Sequence, residues 1–212
     1  MLRILGRAMA ISAVVATAAG AQVVNGNFES SIPAPPGSYT TYGTGSNFGG
    51  WTVGRGSIDL INGFWQAANG TYSVDMDGAS VGSIFQDMVT SAGGTYDLSF
   101  ALAGNPAGGP VIKTLNVFWD GANVGTFTFD ITGKTFASMG WQSHTINNLT
   151  ATTALTRLEF QSGTNGNFYG PALDAVSVSA VSTVTPEPAS VTLFATGLIG
   201  AIVAVRRKRK TV

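Results

Sequence analysis

The chain has no cysteine and one histidine among its 212 residues. The first absence excludes disulfide staples, thiol nucleophiles and every cysteine-based zinc site. The second leaves a Ser-His-Asp triad only His144 to build on. Basic residues are scarce away from the ends. Arg3 and Arg7 open the chain and five basic residues close it, so only Arg55, Lys113, Lys134 and Arg157 lie between, against ten acidic residues. That acidic middle excludes a nucleic-acid partner, because phosphate binding needs basic patches. Glu and Lys are few and Gly numbers 28, which leaves little to propagate a helix. No phosphate-binding loop, dinucleotide fingerprint or zinc motif is present.

What is present begins at the ends. "MLRILGRAMAISAVVATAAGAQ" has a basic start, an apolar stretch from Ala8 to Ala18, and Ala19-Gly20-Ala21. Those three parts predict a secretory signal over residues 1–21, cut by signal peptidase after Ala21. At the other end, 182–188 form a linker with Pro186-Glu187-Pro188. Residues 189–205 form an uncharged apolar run, and 206–212 a basic tail. The run would make about 25 Å of helix, just enough to span a hydrocarbon core, and the positive tail would stay in the cytoplasm.

Pro186-Glu187-Pro188, the apolar segment and the Arg/Lys tail, in that order, resemble the PEP-CTERM sorting signal of Gram-negative bacteria. The common form has Val before the tripeptide, where this chain has Thr185. The resemblance implies an exosortase-type membrane transpeptidase as a partner. It also implies a transient inner-membrane anchor, and a destination at the cell surface or in the extracellular matrix alongside exopolysaccharide.

Between the ends, residues 22–181 are long enough for one domain with its own core. Apolar residues alternate with period two. They are Tyr96, Leu98, Phe100 and Leu102; Leu115, Val117 and Trp119; Phe127, Phe129 and Ile131; Leu158 and Phe160; Val176 and Val178. Turn signals such as Asp120-Gly121 and Asn69-Gly70 separate these runs. The pattern predicts an all-β fold of about ten strands, a jelly-roll β-sandwich. Ser30 to Gly50, rich in Pro, Gly and Ser, reads as a long loop.

"VVNGNFES" near the start and "NFYGPALDAVSV" near the end resemble the first and last strands of galactose-binding-like β-sandwiches, among them many carbohydrate-binding modules. That likeness implies a structural calcium shared by Glu29 and Asp174, although Asp174 is followed by Ala175 where relatives often carry a second Asp. Without a metal, Glu29 caps a turn and Asp174 accepts backbone hydrogen bonds. Four segments, "GSIDLINGFWQAANGTYSVDMDG", "LSFALAGNPAGGPVIKTLNV", "FDITGKTFASMGWQ" and "FYGPALDAVSV", resemble in this order the choice-of-anchor C domain of bacterial surface proteins, a family without an established activity.

Asp75 and Asp77, at i and i+2, point to one strand face. They read as a glycosidase pair, as metal ligands, or as strand-end and turn chemistry. The segment Asn62 to Gly70 carries Trp65 and Gln66 between turn residues, with Tyr72 just beyond. It is expected to expose Trp65 as a stacking platform, whereas a core position is the alternative. Trp65, Gln66, Tyr72, Asp75 and Asp77 are therefore the candidate ligand-binding set. The reading favoured here is a non-catalytic binding module for exopolysaccharide or cell-surface glycan. A glycan hydrolase using Asp75 and Asp77 and a purely structural matrix protein are the alternatives.

Overall fold

A computed structural model describes residues 20–30, 38–166 and 168–181. The signal segment before Gly20, Pro186, Glu187 and Pro188, the apolar run 189–205 and the basic tail lie outside the described residues.

Twelve strands form, in chain order β1 (Tyr39–Gly43), β2 (Asn47–Phe48), β3 (Trp51–Arg55), β4 (Ser57–Asn62), β5 (Tyr72–Asp75), β6 (Ser83–Val89), β7 (Thr95–Gly104), β8 (Ile112–Trp119), β9 (Ala122–Asp130), β10 (Gln142–Thr150), β11 (Leu155–Ser162) and β12 (Pro171–Ala180). One sheet has the order β1-β4-β5-β12-β7-β10 and the other β2-β3-β6-β11-β8-β9. All named pairings are antiparallel, and neighbours in a sheet are mostly distant in sequence. This is the all-β sandwich with jelly-roll character that the alternation predicted.

The inward residues are those the period picked out. Tyr96, Leu98, Phe100 and Leu102 of β7 are buried, as are Leu115, Val117 and Trp119 of β8 and Leu158 and Phe160 of β11. Each such aliphatic or aromatic side chain contributes about 1.5–3 kcal/mol on burial. The β8–β9 hairpin closes on Asp120 and Gly121, at φ 52° and 82°, a two-residue turn that needs left-handed backbone at both positions.

One expectation fails here. Ser30 to Gly50 is not one loop: it holds β1 and β2. Tyr39, Thr40, Thr41 and Tyr42 are strong β-formers, and pairing with β4 outweighs the Gly and Ser around them. Trp141 is half-buried at the margin of the core.

A bulge in β12 sets up the site. Leu173 pairs with Leu102 and Val178 with Leu98, all facing inward, although strict alternation would put positions 173 and 178 on opposite faces. The register shifts between Asp174 and Ser177, where Ala175 sits at φ 50°. The extra residue turns Asp174 outward, opposite Ala101, while Val176 and Val178 stay in the core.

Candidate functional site

The site lies on the outward face of the sheet that contains β4, β5 and β12. In the antiparallel register Asp59 faces Asp75, and Ile61 faces Ser73. Ala172 faces Asp75 in turn, and Asp174 faces Ala101. This is the face opposite the core, yet much of it is covered by the segment between β4 and β5.

That segment is pinned from several sides. Asp174 Oδ2 accepts the N–H groups of Ala68 and Asn69 at 2.8 and 2.9 Å. Glu29 Oε1 accepts those of Thr71 and Tyr72 at 2.7 and 2.6 Å. The Gln66 N–H donates to the Phe136 carbonyl at 2.8 Å, and Trp141 Nε1 donates to the Gln66 carbonyl at 2.7 Å. Gly70, at φ 77°, lies so close to the Glu29 carboxylate that a side chain there would collide with it. Trp65 is consequently folded under, only 4% exposed, with Nε1 donating to Ser73 Oγ at 2.8 Å. The expected exposure of Trp65 is corrected. Turn residues bound the segment, but its backbone docks on the sheet and carries the ring beneath it.

Glu29 and Asp174 do converge, but on N–H groups. Of their four carboxylate oxygens, three accept backbone N–H bonds, since Asp174 Oδ1 also takes the Ala175 N–H at 2.6 Å. Burial pushes Asp174 up to about 6, against those bonds and with help from the Glu29 charge. Among the described residues no three His, Asp or Glu side chains group closely enough for a metal ion. A calcium ion needs six to eight oxygens, whereas the groups aimed here are the positive ends of amides. The donor set fits a loop clasp and does not fit a cation cage.

Beside this segment opens a cleft of about 210 Å³. One wall is Tyr39, Phe64 and Trp65, and the other is Phe168 and Tyr169, with Asn105 and Ala107 between. Tyr39 meets Phe64 edge-on at 6.0 Å, and Phe64 packs on Phe136 at 4.7 Å. Tyr39, Phe64, Phe168 and Tyr169 are all exposed in part, while Phe64 also packs among Tyr39, Trp65 and Phe136 and the Tyr169 ring lies against Gly108. Asp59 and Asp75 lie at the base.

Asp75 is an anchor as well as a lining group. Its Oδ1 accepts the N–H groups of Asp77 and Gly170, each at 3.0 Å, and its Oδ2 accepts Asn105 Nδ2 at 2.7 Å. Asn105 Nδ2 also reaches the Phe168 carbonyl at 3.2 Å. Gly170 presses on Asp75 Oδ1 and on Asp77, leaving no room for a side chain. Burial lifts Asp75 to about 8; the Asn105 and Asp77 bonds oppose this, and the charges of Asp77 and Asp59 add to it. Burial also raises Asp59, against the hydroxyl of Thr41, which donates to Asp59 Oδ1 at 2.5 Å. Behind the wall Lys113 is fully buried, and its Nζ donates to the carbonyls of Gly108 and Tyr169 at 2.7 and 2.6 Å. Burial lowers its pKa, while Asp75 and Asp77 pull it back up.

Of the five predicted ligand-binding residues, the structure brings Trp65 and Asp75 to the cleft. Gln66 is exposed and Tyr72 half-buried, and neither lines it. Asp77 does not share the cleft with Asp75. It lies one bridge beyond β5, fully buried, and neither carboxylate oxygen has a hydrogen-bond partner of good geometry. Burial raises its pKa; Ser162, the Gly82 N–H and the charges of Lys113 and Arg55 act against that rise. The glycosidase pair expected at Asp75 and Asp77 is therefore corrected, because buried Asp77 cannot reach a substrate in the cleft. Sequence reasoning missed Asp59, Phe64, Asn105, Phe168 and the place of Tyr39 and Tyr169. For Asp59 a signal existed: in "SIDLIN" it shares the phase of Ile61, not that of the core residues Ile58 and Leu60. Ala21, where the signal would be cut, is 4% exposed. His144 stacks on Phe100 at 5.5 Å, and burial lowers its pKa.

Among solved structures the chain is similar to TmCBM61 in complex with β-1,4-galactotriose, at 19% identity and TM-score 0.42, covering 74% of this chain and 96% of that one. It is similar to CBM35 from Paenibacillus barcinonensis, at 17% identity and TM-score 0.43, covering 68% and 99%. A third is the carbohydrate-binding module CBM36 in complex with calcium and xylotriose, at 15% identity and TM-score 0.42, covering 66% and 97%. At these scores the likenesses carry no argument about a ligand or a metal. Halomucin of Haloquadratum walsbyi is 29% identical over 130 residues, 53% of this chain, and the chain spans 1% of its length. Residues 184–209 match the PEP-CTERM protein-sorting motif, which spans Pro186, Glu187 and Pro188 and implies export and surface sorting in a Gram-negative bacterium. Residues 21–179, well over half of the chain, match the family described as Protein of unknown function (DUF642), and the chain belongs to that family.

Proposed function

We propose that this domain is a non-catalytic carbohydrate-binding module, carried to the cell surface or extracellular matrix to hold exopolysaccharide or a cell-surface glycan. The observation behind this reading is the cleft, which is lined together by partly exposed aromatic rings and by polar groups. Sugar rings offer apolar faces to stack on aromatics and hydroxyl edges to hydrogen-bond, so this combination complements them. In this reading Asp59, Tyr39 and Tyr169, which line the cleft, supply polar groups to a bound ring. In this reading signal peptidase cuts after Ala21, and an exosortase acts at Pro186-Glu187-Pro188 while 189–205 serves as a transient inner-membrane anchor. The mature protein would then begin at Gln22 and lack the basic tail, which intact-mass measurement of the exported protein checks.

Affinity electrophoresis of the exported protein through gels containing the host's exopolysaccharide tests the binding itself. Retardation is expected, and Phe64→Ala should abolish most of it while leaving the melting temperature near that of the parent. Phe64 is a half-open ring on the rim, and stacked aromatics dominate binding energy at such sites. Shorter glycan products appearing during incubation would overturn the non-catalytic reading in favour of a hydrolase. Unretarded migration would favour the structural matrix role.

A further inference from the structure

We propose that the cleft selects glycans bearing free amino groups, that is, deacetylated amino sugars, over neutral, N-acetylated or uronate-bearing ones. This rests on the reading of the cleft as a glycan site and adds the chemistry that the site prefers.

Among the described residues no lysine or arginine lines the cleft. The cation behind its wall, Lys113, is fully buried and turns its ammonium to the carbonyls of Gly108 and Tyr169, away from any ligand. The walls are aromatic faces, which carry the negative side of a ring quadrupole and attract an ammonium within about 6 Å. At the base Asp59 and Asp75 stand directly opposite each other on neighbouring strands. A uronate would bring another negative charge to a partly desolvated place already lined by Asp59 and Asp75. An ammonium does the opposite. It puts a positive charge and three donors where acceptors and ring faces converge. Burial makes both carboxyl groups hold their protons more tightly than usual, and an ammonium beside Asp59 would favour its ionised form.

The cavity size agrees. About 210 Å³ admits one sugar ring, not a long stretch of polymer. Stacking on Phe64 or Tyr169 places one ring, and its amino group then needs to reach only the base.

The test uses the exported protein and four probes: a glucosamine tetrasaccharide, its fully N-acetylated counterpart, cellotetraose and tetragalacturonate. Titration calorimetry at two salt concentrations gives the affinities. The glucosamine probe should bind at least about tenfold more tightly than the others, as expected for a charge-assisted contact. Asp59→Asn, which keeps an oxygen for Thr41, should remove that preference, while Asp87→Asn, on the outer face of the other sheet, should keep it. Phe64→Ala should weaken all bound probes together. Equal affinity for the acetylated or neutral probe would overturn this inference and leave the glycan-binding reading standing. A glucosamine preference lost equally in both aspartate variants would overturn it too, since it would reflect only the acidity of the whole domain. Failure to bind any probe at millimolar concentration would overturn this inference, and migration through the host's exopolysaccharide gel then decides the glycan-binding reading by itself.

Discussion

The outer faces of the two sheets use the same residue type in opposite ways. On the face with β4 and β5, Asp59 and Asp75 sit among rings and loops, and burial raises both. On the outer face of the β6–β11 pair, Asp87 meets Arg157 in a two-pronged ion pair at 2.7 and 2.8 Å, which lowers it. Arg157 also lies 3.8 Å above the Phe85 ring. There the two charges neutralise each other at the surface. On the β4–β5 face Asp59 and Asp75 are held by neutral hydroxyl, amide and backbone donors rather than by an ion pair, and an aromatic-lined cleft opens beside them.

The largest effect expected from disturbing this arrangement is at Trp65. Cutting it to Ala removes a buried ring and its bond to Ser73. The cost should be about 3–5 kcal/mol, read as a drop of roughly 10 °C in melting temperature. Phe64→Ala, one residue away, should show almost none, and the pair of melting curves decides whether the covering segment is structural.

The next effect is pH dependence. Asp75 binds its proton up to about pH 8 in the folded state but only to about 4 when unfolded. The native state therefore holds the extra proton between those values, and stability falls as pH rises from about 4 to 8. Asp174, at about 6, adds to the fall between about 4 and 6. Unfolding free energies from denaturant titrations at pH 5, 6.5 and 8 should decline by an amount on the order of a few kcal/mol. In Asp75→Asn the decline above pH 6 should flatten. A parent protein more stable at pH 8 than at pH 5 would refute the assignment. Asp87 works the other way: its lowered pKa gives stability that is present at neutral pH and lost as pH falls below about 4.

Smaller still is Arg157→Ala. The pair is half-open to solvent, 46% and 38% exposed, so its loss should cost under about 1 kcal/mol and leave glycan retention unchanged. Chelation of calcium should shift the melting temperature least of all, because Glu29 and Asp174 already spend their oxygens on N–H groups. A drop of several degrees with chelator would restore the calcium reading.

The comparison also explains what was legible beforehand. β7, β8 and β11 bury alternate residues, so their inward faces stand out in the sequence. β1 hides among Gly, Ser and Pro because its support comes from β4, eighteen residues away at the Thr41–Asp59 pair. Trp65 was misread because local turn residues say nothing about whether a segment docks on a sheet. The cleft was legible only in part because it joins residues 39, 59, 75, 105 and 168, brought together by a topology in which β5 sits beside β12. The resemblance to galactose-binding-like sandwiches singles out the Glu29 and Asp174 carboxylates, and both tie the fold together, Glu29 from the turn-rich segment before β1 and Asp174 from β12. Their partners are amides of the segment between them in sequence.

Lys113 carries one more consequence. Its ammonium holds Gly108 and Tyr169, and Asp75 with Asn105 holds Phe168 and Gly170, so buried bonds fix one wall of the cleft from behind. A ligand arriving there meets a shape already set and spends little of its affinity on ordering the receptor. Single contacts of this kind exchange quickly. Along a repeating polymer facing many copies of the domain on one surface, their effects multiply through high local concentration, so the chain grips as a lattice while each site lets go easily.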